Sequence, residues 1–137
     1  MKKTLIVLGI ILVFAVGLFF LLPDNKKSSE AEKAPVASEQ STKGQSIASE
    51  VNAGKAVMFD VRTPAEFNAS HVSIAKNFDS VLIDDGQFPD VSKDQKIYIY
   101  CRTGSRATNV KAIMENNGFT DVVNLGGLTN MKELGLL

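Results

Sequence analysis

Hydrophobic and polar positions divide the chain into three stretches. From Leu5 to Leu22, eighteen consecutive residues carry no polar side chain. As a helix they would span about 27 Å, close to the hydrocarbon thickness of a bilayer. Lys2 and Lys3 precede this run, and Pro23-Asp24 end it. A buried core helix would show a polar face, and this run has none. Residues 1–23 therefore read as an uncleaved transmembrane anchor, with the following domain in the periplasm or outside the cell. The alternative is a cleaved signal followed by secretion. Ala15-Val16-Gly17 has the small-x-small pattern for it, yet Leu18 to Leu22 continue the apolar run beyond that point.

Residues 24–44 are rich in Ser, Lys, Glu, Ala and Gln and nearly lack large apolar side chains. Such a segment cannot offset its ordering entropy by burial, so a flexible tether is expected there. Residues 45–137 then alternate short apolar runs with amphipathic stretches. Ile47 to Asn52 reads as a short helix stopped at Gly54, and Ala56 to Val61 as a buried strand. Thr63 is placed as the cap of a helix that has Pro64 in its first position and Glu66 in the capping-box position. A short strand at Lys76 to Phe78 and a helical turn over Asp79 to Asp85 follow. Ile97 to Tyr100 is the strongest strand. Arg106 to Asn117 is expected to be helical, with Ala107, Val110, Ile113 and Met114 on one stripe. Asp121 to Leu125 completes the strands, and Leu128 to Leu134 forms a last helix. The alternation predicts an α/β fold, a mainly parallel sheet flanked by helices, preceded by the transmembrane helix.

Composition narrows the chemistry. The 15 basic and 15 acidic side chains balance, so no general attraction to nucleic acid is expected. One cysteine rules out an internal disulfide framework, a CxxC redox pair and a zinc site of several thiolates. One histidine makes a His-rich metal centre a poor expectation, and Asp84-Asp85 alone is a weak calcium signal. No metal or cofactor is expected.

Parallel sheets hold ligands at the carboxyl ends of their strands. That rule singles out Asp60-Val61-Arg62 and the loop Cys101-Arg102-Thr103-Gly104-Ser105-Arg106. The loop's cysteine follows the strongest strand and precedes a helix. Backbone N–H groups, the helix dipole and two arginines would all favour a thiolate and an anion there. Gly104 permits a tight turn. A lone cysteine is often a small inert core residue. The flanking glycine and arginines argue instead for a reactive thiol. Asp60 is expected either to organise this loop by hydrogen bonds to its backbone or to form an ordinary ion pair within its own segment. His71, Tyr98, Tyr100 and Phe119 read as structural.

The run Asp60-Val61-Arg62-Thr63-Pro64-Ala65-Glu66-Phe67, then His71-Val72, Asn77-Phe78, the Cys101–Arg106 loop and Val123-Asn124-Leu125-Gly126-Gly127-Leu128 resemble, in this order, the rhodanese (sulfurtransferase) family. The chain departs from the family pattern at Ser70, Ile74 and Leu125, and has Met131 near the place of a common tryptophan. The resemblance implies a module with a central parallel sheet of about five strands. It implies that Cys101 takes a sulfane sulfur from an anionic donor such as thiosulfate and passes it, as a persulfide, to cyanide or a thiol. Backbone amides of Arg102 to Arg106 would hold the sulfur. The Arg102 and Arg106 side chains would attract the donor, with Asp60 and Arg62 in support. A protein sulfur acceptor is unidentified. Two other readings stand beside it. One is a non-catalytic binding module at the membrane. The other is a cysteine-dependent phosphatase or arsenate reductase, whose loop places five residues between Cys and Arg, where four intervene here.

Overall fold

The computed structural model describes residues 36–137. The apolar run expected to form an anchor, and the first part of the expected tether, lie outside the described residues. No helix among the described residues is long and apolar enough to cross a membrane.

Helix α1 (Val36–Asn52) leads into strand β1 (Ala56–Asp60). Helix α2 (Pro64–Ala69), strand β2 (Lys76–Asn77) and helix α3 (Ser80–Asp84) follow. Then come β3 (Lys96–Tyr100), α4 (Ser105–Asn116), β4 (Val122–Asn124) and α5 (Leu128–Glu133). The sheet order is β2-β1-β3-β4, and every pairing is parallel. Among the described residues the sheet has four strands, the ones read from the sequence, rather than the about five that the resemblance implies. The sequence of α1 lacks the β-branched and aromatic runs that a strand packs with.

Alternation along β3 splits the core. Ile97 and Ile99 point to one face and pack with Phe59, Ile83, Val110, Met114 and Phe119, the side of α3 and α4. Tyr98 and Tyr100 point to the other and pack with Ile47, Met58, Leu125, Met131 and Leu134, the side of α1 and α5. Phe119 and both tyrosines are thus core residues, as their pattern predicts. Met131, near the place of the family's tryptophan, is fully buried.

The helix expected over 47–52 begins at Val36, so residues 36–44 of the expected tether are helical. Its few apolar groups suffice because the contact is close. Ile47 is buried, and Gly44 lies so near α5 that a Cβ there would fall 1.8 Å from the Leu134 carbonyl oxygen. At the far end of this helix Glu50 accepts hydrogen bonds from Lys96 at 3.0 Å and Tyr98 at 2.9 Å, which fastens it to β3.

Candidate active site

Register brings the strand ends together. Asp60 pairs with both Asn77 and Tyr100, and Ile99 with Asn124, so the loops after all four strands leave the same edge. The Asn77 side-chain amide donates to the backbone oxygens of Asp60 at 2.9 Å and Arg62 at 2.8 Å, which fixes the exit of β1. The Thr63 capping box forms as its sequence predicts. The Thr63 hydroxyl accepts the Glu66 amide, and Glu66 Oε2 accepts from the Thr63 amide, both at 3.3 Å.

Cys101 is the first residue after β3 and is fully buried, on the face of Ile97 and Ile99. Its amide donates to the Gly126 oxygen at 3.1 Å. Leu128 N donates to the Arg102 oxygen at 3.1 Å, and Thr103 bridges Gly127 in antiparallel fashion. The segment Gly126-Gly127 is therefore the wall against which the cysteine loop is built. Gly104 sits at φ +100°, where an L side chain is strained, and a Cβ there would also press on Gly126 Cα at 3.3 Å. This turn brings the Gly104 N–H to 3.1 Å from the Cys101 sulfur. It also starts α4 at Ser105, one residue earlier than expected. The sulfur thus lies beside the positive end of a twelve-residue helix, the electrostatic setting that favours a bound anion.

The remaining predicted residues divide by what they touch. Arg102, Thr103 and Ser105 are exposed around the loop. The Arg102 guanidinium makes no hydrogen bond or ion pair among the described residues. Arg106 is half-buried and donates through Nη1 to Glu66 Oε2 at 2.8 Å and through Nη2 to Glu66 Oε1 at 3.0 Å. That bidentate pairing holds the Glu66 carboxyl down at about 2 and raises Arg106 above its ordinary value. Asp60 and Arg62 are buried together. Arg62 Nη2 reaches Asp60 Oδ2 at 2.6 Å, Arg62 Nε reaches Asp60 Oδ1 at 2.9 Å, and the Arg62 amide also donates to Oδ1 at 3.0 Å. The ion-pair reading of Asp60 therefore describes its carboxylate. Arg62 Nη2 also donates to the Ser70 oxygen at 2.6 Å, and its guanidinium lies 5.9 Å from the Tyr100 ring centre.

Glu66 is the site residue that sequence reasoning missed beyond its capping role. Its partner is forty positions away, and no local spacing signals the contact. Asp79, which caps α3 by accepting the Val81 amide at 3.2 Å, also lies close enough to favour the charged form of Arg106.

The parallel α/β sheet, with a cysteine loop between its central strand and a helix, agrees with the chain's likenesses to known proteins. Residues 44–134 match the rhodanese-like domain model, and the chain belongs to that family. It is 32% identical over 74 residues to the probable adenylyltransferase/sulfurtransferase MoeZ of Mycobacterium tuberculosis, covering 53% of this chain but 19% of that protein. It is 31% identical over 75 residues to the thiosulfate sulfurtransferase PspE of Escherichia coli, covering 53% of this chain and 70% of that one. The fold matches the human single-domain sulfurtransferase TSTD1 with a TM-score of 0.55 at 18% identity, covering 65% of this chain and 91% of the other.

Proposed function

We propose that this domain is a sulfurtransferase that carries sulfane sulfur on Cys101. The observation that carries the reading is the Cys101 sulfur, held at 3.1 Å from the Gly104 amide at the start of α4 in a rhodanese-like domain. In the first step the Cys101 thiolate attacks the outer sulfur of a donor such as thiosulfate. A new S–S bond forms, the donor's S–S bond breaks, and sulfite leaves with the electron pair. In the second step an acceptor thiolate or cyanide takes the outer sulfur, and the Cys101 thiolate is restored. Amides of the 102–106 loop hold the sulfur, and Arg102 draws the anionic donor in.

The apolar run 5–22 supports tethering to a membrane, with the domain in the periplasm or outside the cell. Resistance of the full chain to alkaline carbonate extraction tests this. Its release as a shortened soluble protein would mean cleavage instead.

Intact-mass spectrometry of the full chain in mild detergent, after thiosulfate or polysulfide and then cyanide, tests the chemistry. The expected result is a gain of one sulfur, about 32 Da, on Cys101 that cyanide removes, the mark of covalent catalysis. No gain from either donor, with Cys101 still open to alkylation, would defeat the sulfurtransferase reading in favour of a binding module.

A further inference from the structure

The Arg106 guanidinium does not face the loop unopposed. Glu66 grips it with both carboxylate oxygens, at 2.8 and 3.0 Å. Glu66 is itself fixed before it meets Arg106. The Thr63 amide and hydroxyl both reach its Oε2 at 3.3 Å, so the carboxylate is anchored in the first turn of α2. Arg106 is the second residue of α4, at the helix end whose preceding Gly104 amide faces the Cys101 sulfur. Whatever cancels Arg106 therefore alters the potential at the sulfur.

The loop thus carries two guanidiniums, and Glu66 neutralises one of them, Arg106, by a bidentate ion pair. The balance matters because the two kinds of donor differ in charge. Thiosulfate is a dianion, and its attack by a thiolate brings three negative charges together. An ionised hydropersulfide, R–S–S⁻, brings two. In that case the Cys101 thiolate bonds to the terminal sulfur, the R–S bond to it breaks, and R–S⁻ leaves with the electron pair.

We propose that Glu66 sets the charge class of the sulfur donor: by gripping Arg106 with both carboxylate oxygens it leaves Arg102 as the loop's one guanidinium without an ion-pair partner among the described residues, and so favours a singly charged hydropersulfide over a dianion. The inference rests on the sulfurtransferase reading above, and names the donor class for that same site. Glu66 is a positioning and specificity residue here, acting on the donor through Arg106.

The test compares reagents that differ only in charge. Cys101 is the chain's one cysteine, so alkylation of the full chain in mild detergent reads this site alone. The ratio of the iodoacetate rate to the iodoacetamide rate reports the potential at the sulfur. Removing one negative charge at this range is expected to raise that ratio about three- to tenfold in Glu66→Gln. Arg106→Gln should lower it, because the Glu66 carboxylate then stands unopposed. The ratio of kcat/KM for thiosulfate to that for cysteine persulfide should shift in the same directions. A merely structural role for Glu66 would change both reagents together and leave the ratios flat. Flat ratios in Glu66→Gln, with sulfur transfer intact in the unaltered protein, would overturn the donor-charge proposal alone. Transfer from neither donor in the unaltered protein would overturn the sulfurtransferase reading, and donor selection with it.

Discussion

The Tyr100 hydroxyl accepts the Val72 amide at 3.0 Å, and the residue after Tyr100 is Cys101. A bond across 28 positions thus ties the segment between α2 and β2 to the strand that presents the sulfur. Burial, with the Asp60 carboxylate nearby, raises the Tyr100 phenol above its ordinary range, so it stays neutral. Val72 is itself buried. Tyr100→Phe would leave its N–H without an acceptor, and a cost of about 1–3 kcal/mol is expected in urea unfolding.

The Asp60–Arg62 pair predicts a larger loss. Their side chains are 0% and 4% exposed, so water cannot replace a missing partner. Arg62→Ala is expected to destabilise the fold by about 3–5 kcal/mol, because it strands a buried carboxylate. The double change Asp60→Asn with Arg62→Met should recover part of that loss. Thermal unfolding of the two variants decides the point, and equal loss in the single and double variants would contradict it.

Gly104 separates stability from chemistry. Alanine at φ +100° carries a strain of about 1–2 kcal/mol. It would also press on Gly126 and shift the amide that now faces the Cys101 sulfur. Gly104→Ala is expected to cut sulfur loading by about tenfold, a transition-state effect of about 1.4 kcal/mol, while the fold survives. Loading at the normal rate in a folded variant would show that this amide does not matter.

Acid should weaken the tie between α2 and α4. Glu66 titrates at about 2 in the folded chain, against an ordinary 4.5. The unfolded chain then binds the proton more tightly, so this contribution to stability is complete above pH 4.5 and is lost as the pH falls toward 2. The Arg106 and Glu66 side chains are 34% and 26% exposed, so screening keeps the amount to on the order of 1 kcal/mol or less. Urea midpoints between pH 6 and pH 3 should fall less steeply for Glu66→Gln than for the unaltered chain.

What the sequence made legible was local. Thr63, Pro64 and Glu66 lie within one helical turn, and their capping box formed as read. Ile97 to Tyr100 announced a buried strand by composition and Cys101 to Arg106 a strand-to-helix turn, and both are present. What escaped reading depends on contacts between distant segments. Glu66 meets Arg106 only because two loops leave the sheet at one edge. The first turns of α1 look like solvated chain in isolation, and they become helix by resting Gly44 against the end of α5. Asp60 offered two partners on paper. Packing chose the guanidinium two residues on, since both groups are enclosed together.

The position of Cys101 has a consequence for the order of events. Its amide is fastened to Gly126, its sulfur to Gly104, and its side chain is enclosed by the core. The sulfur has no arm on which to swing from one partner to another. Under the proposed sulfur transfer, donor and acceptor visit the same spot in turn, and each blocks the other while it is there. A carrier built this way works as a turnstile. Its kinetics should be ping-pong, with each substrate inhibiting at high concentration by occupying the form of the protein meant for the other.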